Sequence, residues 1–206
     1  MPMDPESIIW RSPLVYRDSP ASPNENPRAS VGVLTANALT LRSEGKIVKS
    51  LPLETVIGIE TLSTLTFRLH AYPVIQANYQ YRPLTFDCKD AIACQKWIKA
   101  IREALGHTQT RSLTVLLNPS SGGRKGRKIF ADIKPIFQQA NCELSLYETQ
   151  SADDLRQYVE SIDLDRCSGI VVLGGDGSNF HTINGLMNHP DRDRAMKLPL
   201  GFIPAG

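Results

Sequence analysis

The sequence predicts an α/β protein in two parts: a small β-sheet closed by one helix over residues 31–106, then a parallel α/β unit over residues 113–206. Three observations predict it. Short runs rich in β-branched residues fill residues 31–88 and end in a single amphipathic stripe. After residue 112, apolar runs alternate with helical periodicity, the pattern of strand–helix–strand crossovers. Two of those strands run directly into glycine-rich turns that open helices, at residues 118–128 and 174–178.

Composition sets the outer bounds. Hydrophobic residues make up 41% and charged residues 21% of the 206, so the chain is globular rather than disordered. A net charge of +2 argues neither for nor against nucleic acid, and no nucleic-acid partner is expected. Cys88, Cys94, Cys142 and Cys167 show neither metal-ligand spacing nor a paired pattern, which fits a reducing compartment. No apolar run approaches the roughly 18 residues that span a bilayer. No transmembrane segment is expected, any membrane contact is peripheral, and the expected location is cytoplasmic.

In chain order, residues 1–30 are rich in Pro, Ser and Asn and read as a flexible leader, with Ile8, Ile9, Trp10, Leu14 and Val15 able to dock elsewhere. Strands are expected at 31–34, 38–41, 47–53 and 55–61. Another is expected over 67–75, with Pro73 marking an edge or bulge, and a last one over 82–88. A helix opens at Asp90, carries Ala93, Trp97, Ile101 and Leu105 on one stripe, and ends at Gly106. This arrangement resembles a pleckstrin-homology domain, with Phe86 and Trp97 in the closing strand and helix; the alternative is a generic small sheet plus helix. A headgroup-binding member would cluster basic residues in its first hairpin. Arg42, Lys46 and Lys49 are scattered, so packing or partner binding is the expected role.

Residues 107–112 read as a linker. Residues 113–117 form a continuous apolar strand, as in a parallel sheet covered on both faces. Asn118-Pro119 then makes a turn, Gly122, Gly123 and Gly126 loosen the backbone, and Arg124, Lys125, Arg127 and Lys128 add charge. Cations at a helix start oppose the helix dipole, so a nearby anion accounts for them better than a solvated helix end does. Neither the Walker nor the GxGxxG spacing is present. The following helix carries Ile129, Phe130, Ile133, Ile136 and Phe137 on one side, with Pro135 expected to kink or restart it. A strand over 144–147 and a helix over 151–162 capped by Ser151 come next.

The apolar strand 170–173 stops at Gly174-Gly175-Asp176-Gly177, and Phe180, Ile183, Leu186 and Met187 follow at helical spacing. Glycine backbone and a helix start suit phosphate. Asp176 does not, unless it handles a proton or a metal beside the phosphate; the alternative is a tight turn with a solvent-exposed Asp. A polar loop over 188–197 and a strand over 198–203 complete the chain, ending in Pro204-Ala205-Gly206. The turns at Asn118, Gly174 and Pro204 are all expected on the carboxyl edge of the sheet, where ligands bind in such folds.

Three motifs together resemble the lipid kinases built on the diacylglycerol-kinase catalytic domain: Asn118-Pro-Ser-Ser-Gly-Gly, Gly174-Gly-Asp-Gly with Asn184-Gly-Leu, and Leu198-Pro-Leu-Gly-Phe-Ile-Pro-Ala-Gly206. Asp132-Ile-Lys-Pro and Tyr147-Glu-Thr are similar to the sphingosine, or sphingoid long-chain base, branch. The resemblance implies an incomplete Rossmann-like nucleotide-binding domain and ATP-dependent, Mg²⁺-assisted phosphorylation of a lipid's primary hydroxyl, with a sphingoid base or a related lipid as substrate. It implies Asp176 as the general base. It implies Asn118, Pro119, Ser120, Gly122, Gly123, Thr149, Gln150, Gly174, Gly175, Gly177 and Gly206 as nucleotide-binding residues, and no resident metal site.

The chain departs from the family pattern at three places. His181 stands where the family has Glu, Asp154 stands where the branch commonly has His, and the family continues past Pro-Ala-Gly into a β-rich domain. The expectation is therefore a fragment with little lipid kinase activity by itself. The alternatives are a diacylglycerol or ceramide kinase, a catalytically dead nucleotide-binding scaffold, a nicotinamide-nucleotide kinase, and a membrane-targeting module.

Overall fold

The computed structural model describes residues 7–17, 29–120, 123 and 125–205. Two compact units divide the chain, Met1–Gln109 and Thr110–Gly206.

The first unit is a seven-stranded antiparallel sheet in the order β4-β3-β2-β1-β9-β6-β5. Its strands are β1 (Ile8–Arg17), β2 (Ala29–Thr35), β3 (Ala38–Ser43), β4 (Lys46–Pro52), β5 (Val56–Thr61), β6 (Thr66–Ala71) and β9 (Arg82–Cys88). A two-strand hairpin, β7 (Val74–Ile75) with β8 (Asn78–Tyr79), sits between β6 and β9, so the single strand expected over 67–75 is broken at Tyr72-Pro73. Proline lacks the N–H that a continuing ladder needs.

Helix α1 (Ala91–Ala104) closes the unit and buries Ala93, Cys94, Trp97, Ile98, Ala100 and Ile101. Asp90 caps it by accepting from the Ala93 amide at 2.7 Å. At the other end His107 N–H bonds Arg102 O and Gly106 N–H bonds Glu103 O, with Gly106 at φ +69°. This is a Schellman stop, which favours glycine at that position. Trp97 is fully buried and lies so close to β2 that a Cβ on Gly32 would sit 2.7 Å from its ring. A seven-stranded sheet closed by a C-terminal helix is the pleckstrin-homology-like architecture.

The flexible leader needs correcting over residues 8–17, which form β1 and pair with both β2 and β9. Leu14 is 1% exposed, and Trp10 and Tyr16 pack on the same core. Period-two alternation through Trp10, Ser12, Leu14 and Tyr16 supplies a buried face, and burial overrides the polar, proline-rich flanks. The rest of that leader, 1–6 and 18–28, lies outside the described residues. Residues Arg42, Lys46 and Lys49 accordingly belong to the β3–β4 hairpin rather than to the first one.

The second unit is a four-stranded, all-parallel sheet in the order β11-β10-β12-β13. Its strands are β10 (Arg111–Leu117), β11 (Cys142–Glu148), β12 (Gly169–Gly174) and β13 (Leu200–Pro204). Strand β10 starts inside the expected linker, since Arg111 is already in register with Cys142. Helix α2 (Gly126–Gln139) covers one face through Ile129, Phe130, Ile133 and Phe137 against Val115, Leu117, Val171 and Leu173. Helices α3 (Ala152–Glu160) and α4 (Asp176–Asn188) cover the other, around Leu116, Leu155, Val159, Ile170, Val172 and Leu186. Strand β12 is buried along its whole length, as its apolar run requires.

Helix α2 runs on through Pro135 to Gln139, so the restart expected there does not occur. The expected loop over 188–197 contains a short helix, α5 (Arg192–Ala195), capped by Asp191 and anchored by fully buried Ala195. After β10 the chain steps to β11 on one side and returns to β12 on the other. The carboxyl ends of β10 and β12 therefore flank the point where strand order reverses, the place where open α/β sheets bind ligands.

Candidate nucleotide site

At the end of β10 the Asn118 N–H donates to Leu173 O at 3.2 Å, tying the first turn to β12. The Asn118 side chain folds back, its Oδ1 accepting from the Ser120 amide at 2.9 Å. This Asx turn presents Pro119 and Ser120 outward. Gly126 then brings the start of α2 down onto the strand ends: a Cβ there would meet Leu117 Cδ1 at 2.6 Å.

At the end of β11 the Thr149 N–H donates to Leu117 O at 2.8 Å and Thr149 is buried. Asp154 holds the next turn: it accepts from Gln150 N–H at 2.8 Å and from the Tyr147 hydroxyl at 2.6 Å. These bonds, the Gln150 amide foremost, hold the Asp154 carboxyl below the usual carboxylate range. The Asp154 bond pushes the Tyr147 hydroxyl up to about 12. Tyr147 also stacks on Tyr158, ring centroids 3.6 Å apart. Ser151 caps α3 through the Asp154 amide at 3.1 Å.

At the end of β12, Gly174 is buried and its carbonyl accepts from Ala205 N–H at 3.2 Å. Gly175 is the N-cap of α4 and makes no side-chain cap. Asp176 and Gly177 are exposed in the first turn, while Ser178 is buried. Among the described residues a Cβ at Gly175 or Gly177 would meet nothing within 4 Å, and neither residue has a positive φ. Glycine at these two positions is therefore required neither by backbone conformation nor by packing against the described residues. Bare amides at a helix start with no side-chain cap are an arrangement that suits phosphate.

The three turns meet on one open cleft of about 640 Å³, lined by Asn118, Pro119, Ser120, Arg127, Glu148, Thr149, Gln150, Ser151, Ala152, Leu155, Gly177, Ser178 and His181. Six of the expected nucleotide residues are brought together there: Asn118, Pro119, Ser120, Thr149, Gln150 and Gly177. Gly123, Gly174, Gly175 and Asp176 are not among the lining residues, although Gly175 and Asp176 directly precede Gly177. Gly122 and Gly206 lie outside the described residues. Gly123 sits at φ +65°, a left-handed conformation that favours glycine whatever its neighbours.

Sequence reasoning missed Glu148, Ser151, Leu155, Ser178 and the side-chain role of Arg127. Arg127 forms a forked ion pair with Glu148, Nη2 to Oε2 at 2.6 Å and Nε to Oε1 at 3.1 Å, across the cleft rim. Each partner strengthens the charge of the other: the bond raises the Arg127 guanidinium and lowers the Glu148 carboxyl. The available signal was the basic run 124–128 facing a Glu at the end of the neighbouring strand. Among the described residues, no group of three or more His, Cys, Asp or Glu side chains could hold a metal ion, and no helix is long and apolar enough to cross a membrane.

Residues 112–206 match the diacylglycerol kinase catalytic domain family. Sphingosine kinase 2 of Arabidopsis thaliana is 35% identical over 53% of this chain and 23% of its own length. Human ceramide kinase is 30% identical over 63% of this chain and 27% of its own. Ceramide kinase of Mus musculus is 24% identical over 96% of this chain and 39% of its own. The chain thus spans 20% to 27% of the length of the first three curated relatives it matches. Among solved structures, the pleckstrin-homology domain of human pleckstrin homology domain-containing protein family A member 5 is similar to 53% of this chain. It is 20% identical there, with a TM-score of 0.38 and 86% of that domain covered. The matched residues fill almost all of the C-terminal unit, which belongs to the diacylglycerol kinase catalytic domain family, with sphingosine, sphingoid long-chain bases and ceramide kinases among its relatives.

Proposed function

We propose that the C-terminal unit binds ATP for a lipid kinase reaction in which the γ-phosphoryl group passes to the primary hydroxyl of a sphingoid base. The observation that carries this reading is the meeting of three strand-end turns on one cleft, with bare glycine amides at its helix start and Asp176 beside them. In this reading the amides around Gly175 and Gly177 hold phosphate, and the Asn118 and Thr149 turns hold the rest of the nucleotide. Asp176 takes the proton of the attacking hydroxyl. Aspartate carboxylates are ionised at neutral pH and serve as general bases within hydrogen-bond reach of the acceptor. Magnesium enters as MgATP. Among the described residues no group of side chains could hold a metal ion by itself, so magnesium would be held mainly by phosphate and water, which needs no all-protein cage, and would neutralise charge on the phosphates. Membrane contact in this reading is peripheral, made where the lipid substrate resides.

Ceramide is the second acceptor, and one observation favours it. The match to mouse ceramide kinase runs over 96% of this chain, both units included, whereas the sphingosine kinase matches cover 45% to 53% of it. The deciding experiment offers MgATP with sphingosine, ceramide or diacylglycerol in mixed micelles, and follows labelled phosphate into lipid alongside MgATP binding by calorimetry. Binding with transfer to sphingosine supports the first reading, and transfer to ceramide the second. Binding without transfer to any lipid fits both the low activity expected of these residues by themselves and a nucleotide-binding scaffold. No binding removes the proposal.

A further inference from the structure

The described residues that line the cleft offer a nucleotide little positive charge of their own. Among the described residues, Arg127 is the only permanent cation that lines it, and its guanidinium fork is already spent on Glu148, which lines it too. The two cancel. On the surrounding helices, Asp153 and Asp154 at the start of α3 and Asp176 on α4 are acidic, and Arg156 of α3 is held in ion pairs with Asp153 and Glu160. Lys125 and Lys128 stand in the first turn of α2, outside the lining. Among the described lining residues, a triphosphate arriving at the α4 amides therefore meets no permanent cation without an acidic partner. His181 is the remaining lining group that can change this. It lies on α4 in the turn after Gly177 and Ser178, half-buried, and histidine is the side chain whose charge changes between about pH 5 and 8.

We propose that His181 is the proton-linked phosphate anchor of this site: its imidazolium form pairs with the nucleotide's phosphate chain, so that binding takes up a proton. The inference rests on the nucleotide reading above and deepens it by naming the residue that makes binding depend on pH. Linkage fixes the direction. Phosphate favours the charged ring, so the bound state holds more protons than the free state and affinity falls as pH rises. The proton comes from solvent and returns on release, and no bond other than N–H is made or broken.

The test uses the full chain and MgATP. Calorimetric titrations in two buffers of different ionisation enthalpy at about pH 7.5 count the protons taken up, and a binding series from about pH 6 to 8.5 gives the affinity profile. Wild type is expected to take up a fraction of a proton and to lose about tenfold in affinity across the series. His181→Gln is expected to bind MgATP with no uptake and a flat profile. His181→Lys, with a constant cation, is expected to keep the low-pH affinity at high pH. If His181→Gln keeps the wild-type uptake and slope, the proposal falls while the nucleotide reading stands. If folded wild type binds no MgATP at any pH, the nucleotide reading itself falls and takes this one with it.

Discussion

The Tyr147 hydroxyl donates to Asp154 Oδ1 at 2.6 Å, while Asp154 Oδ2 accepts the Gln150 amide at 2.8 Å. One carboxylate thus ties the last turn of β11 to the first turn of α3 and fixes the backbone on which Thr149 and Gln150 face the cleft. Asp154 is thus a brace for the turn between β11 and α3 rather than a spare charge.

That brace has a pH signature. The Tyr147 hydroxyl is raised to about 12 from an ordinary value of 10.0. A raised group contributes stability that is present below its ordinary value and lost as pH climbs towards the raised one. The Asp154 contribution is present above its ordinary 3.8 and lost as pH falls through its lowered value. Ultraviolet titration of wild type minus Tyr147→Phe is expected to show a midpoint at about 12. A midpoint at the ordinary tyrosine value means that the pair is not formed.

The glycines of α4 separate ligand binding from packing. A Cβ on Gly185 would sit 2.7 Å from Val159 Cβ and 2.9 Å from Arg156 O, so Gly185→Ala forces α3 and α4 apart and is expected to cost about 1–3 kcal/mol. Gly175→Ala meets open space and is expected to leave stability within about 0.5 kcal/mol while weakening MgATP at least tenfold. Circular dichroism melts and calorimetry of the two variants check this. Equal loss of stability in both would show that the first turn of α4 is a packing feature and no cradle.

Asp176→Asn keeps shape and removes the proposed base. Lipid phosphorylation by the active protein is expected to fall about a hundredfold or more, with MgATP affinity unchanged or higher because an exposed negative charge beside the phosphates is gone. Phosphate transfer measured alongside binding decides it: a variant that transfers at the wild-type rate removes Asp176 from the chemistry.

The parts of the cleft that were legible are the local ones. Asn118-Pro119 and Gly174-Gly175-Asp176-Gly177 each announce a strand end, a turn and a helix start within a few residues, and parallel topology carries both to one edge. What the sequence hid is what depends on distance. Arg127 reads as one of several cations until β11 places Glu148 opposite it. Strand β1 reads as part of a Pro- and Ser-rich leader because its partners, β2 and β9, lie on both sides of it in space and its flanks dominate any local window. Gly32 gives no local signal at all, since the reason for it is the ring of Trp97.

His70 makes the first unit sensitive to acid. It is buried on β6, its Nδ1 is 2.8 Å from the Tyr81 hydroxyl, and its Nε2 is 3.4 Å from Glu60 Oε2. Burial is the largest influence and lowers its proton affinity; Glu60 raises it and Arg68 lowers it further. A group lowered on folding contributes stability that is present above its ordinary value of 6.5 and lost as pH falls through the lowered one. Both tryptophans of the chain, Trp10 and Trp97, lie in this unit and pack edge to face, so tryptophan fluorescence reports its unfolding alone. Its midpoint in urea is expected to drop between about pH 7 and 5. Glu60→Gln removes the group that favours the charged ring and should steepen that drop, while His70→Gln should flatten it. The opposite order for these two variants would mean that Glu60, and not burial, governs the ring.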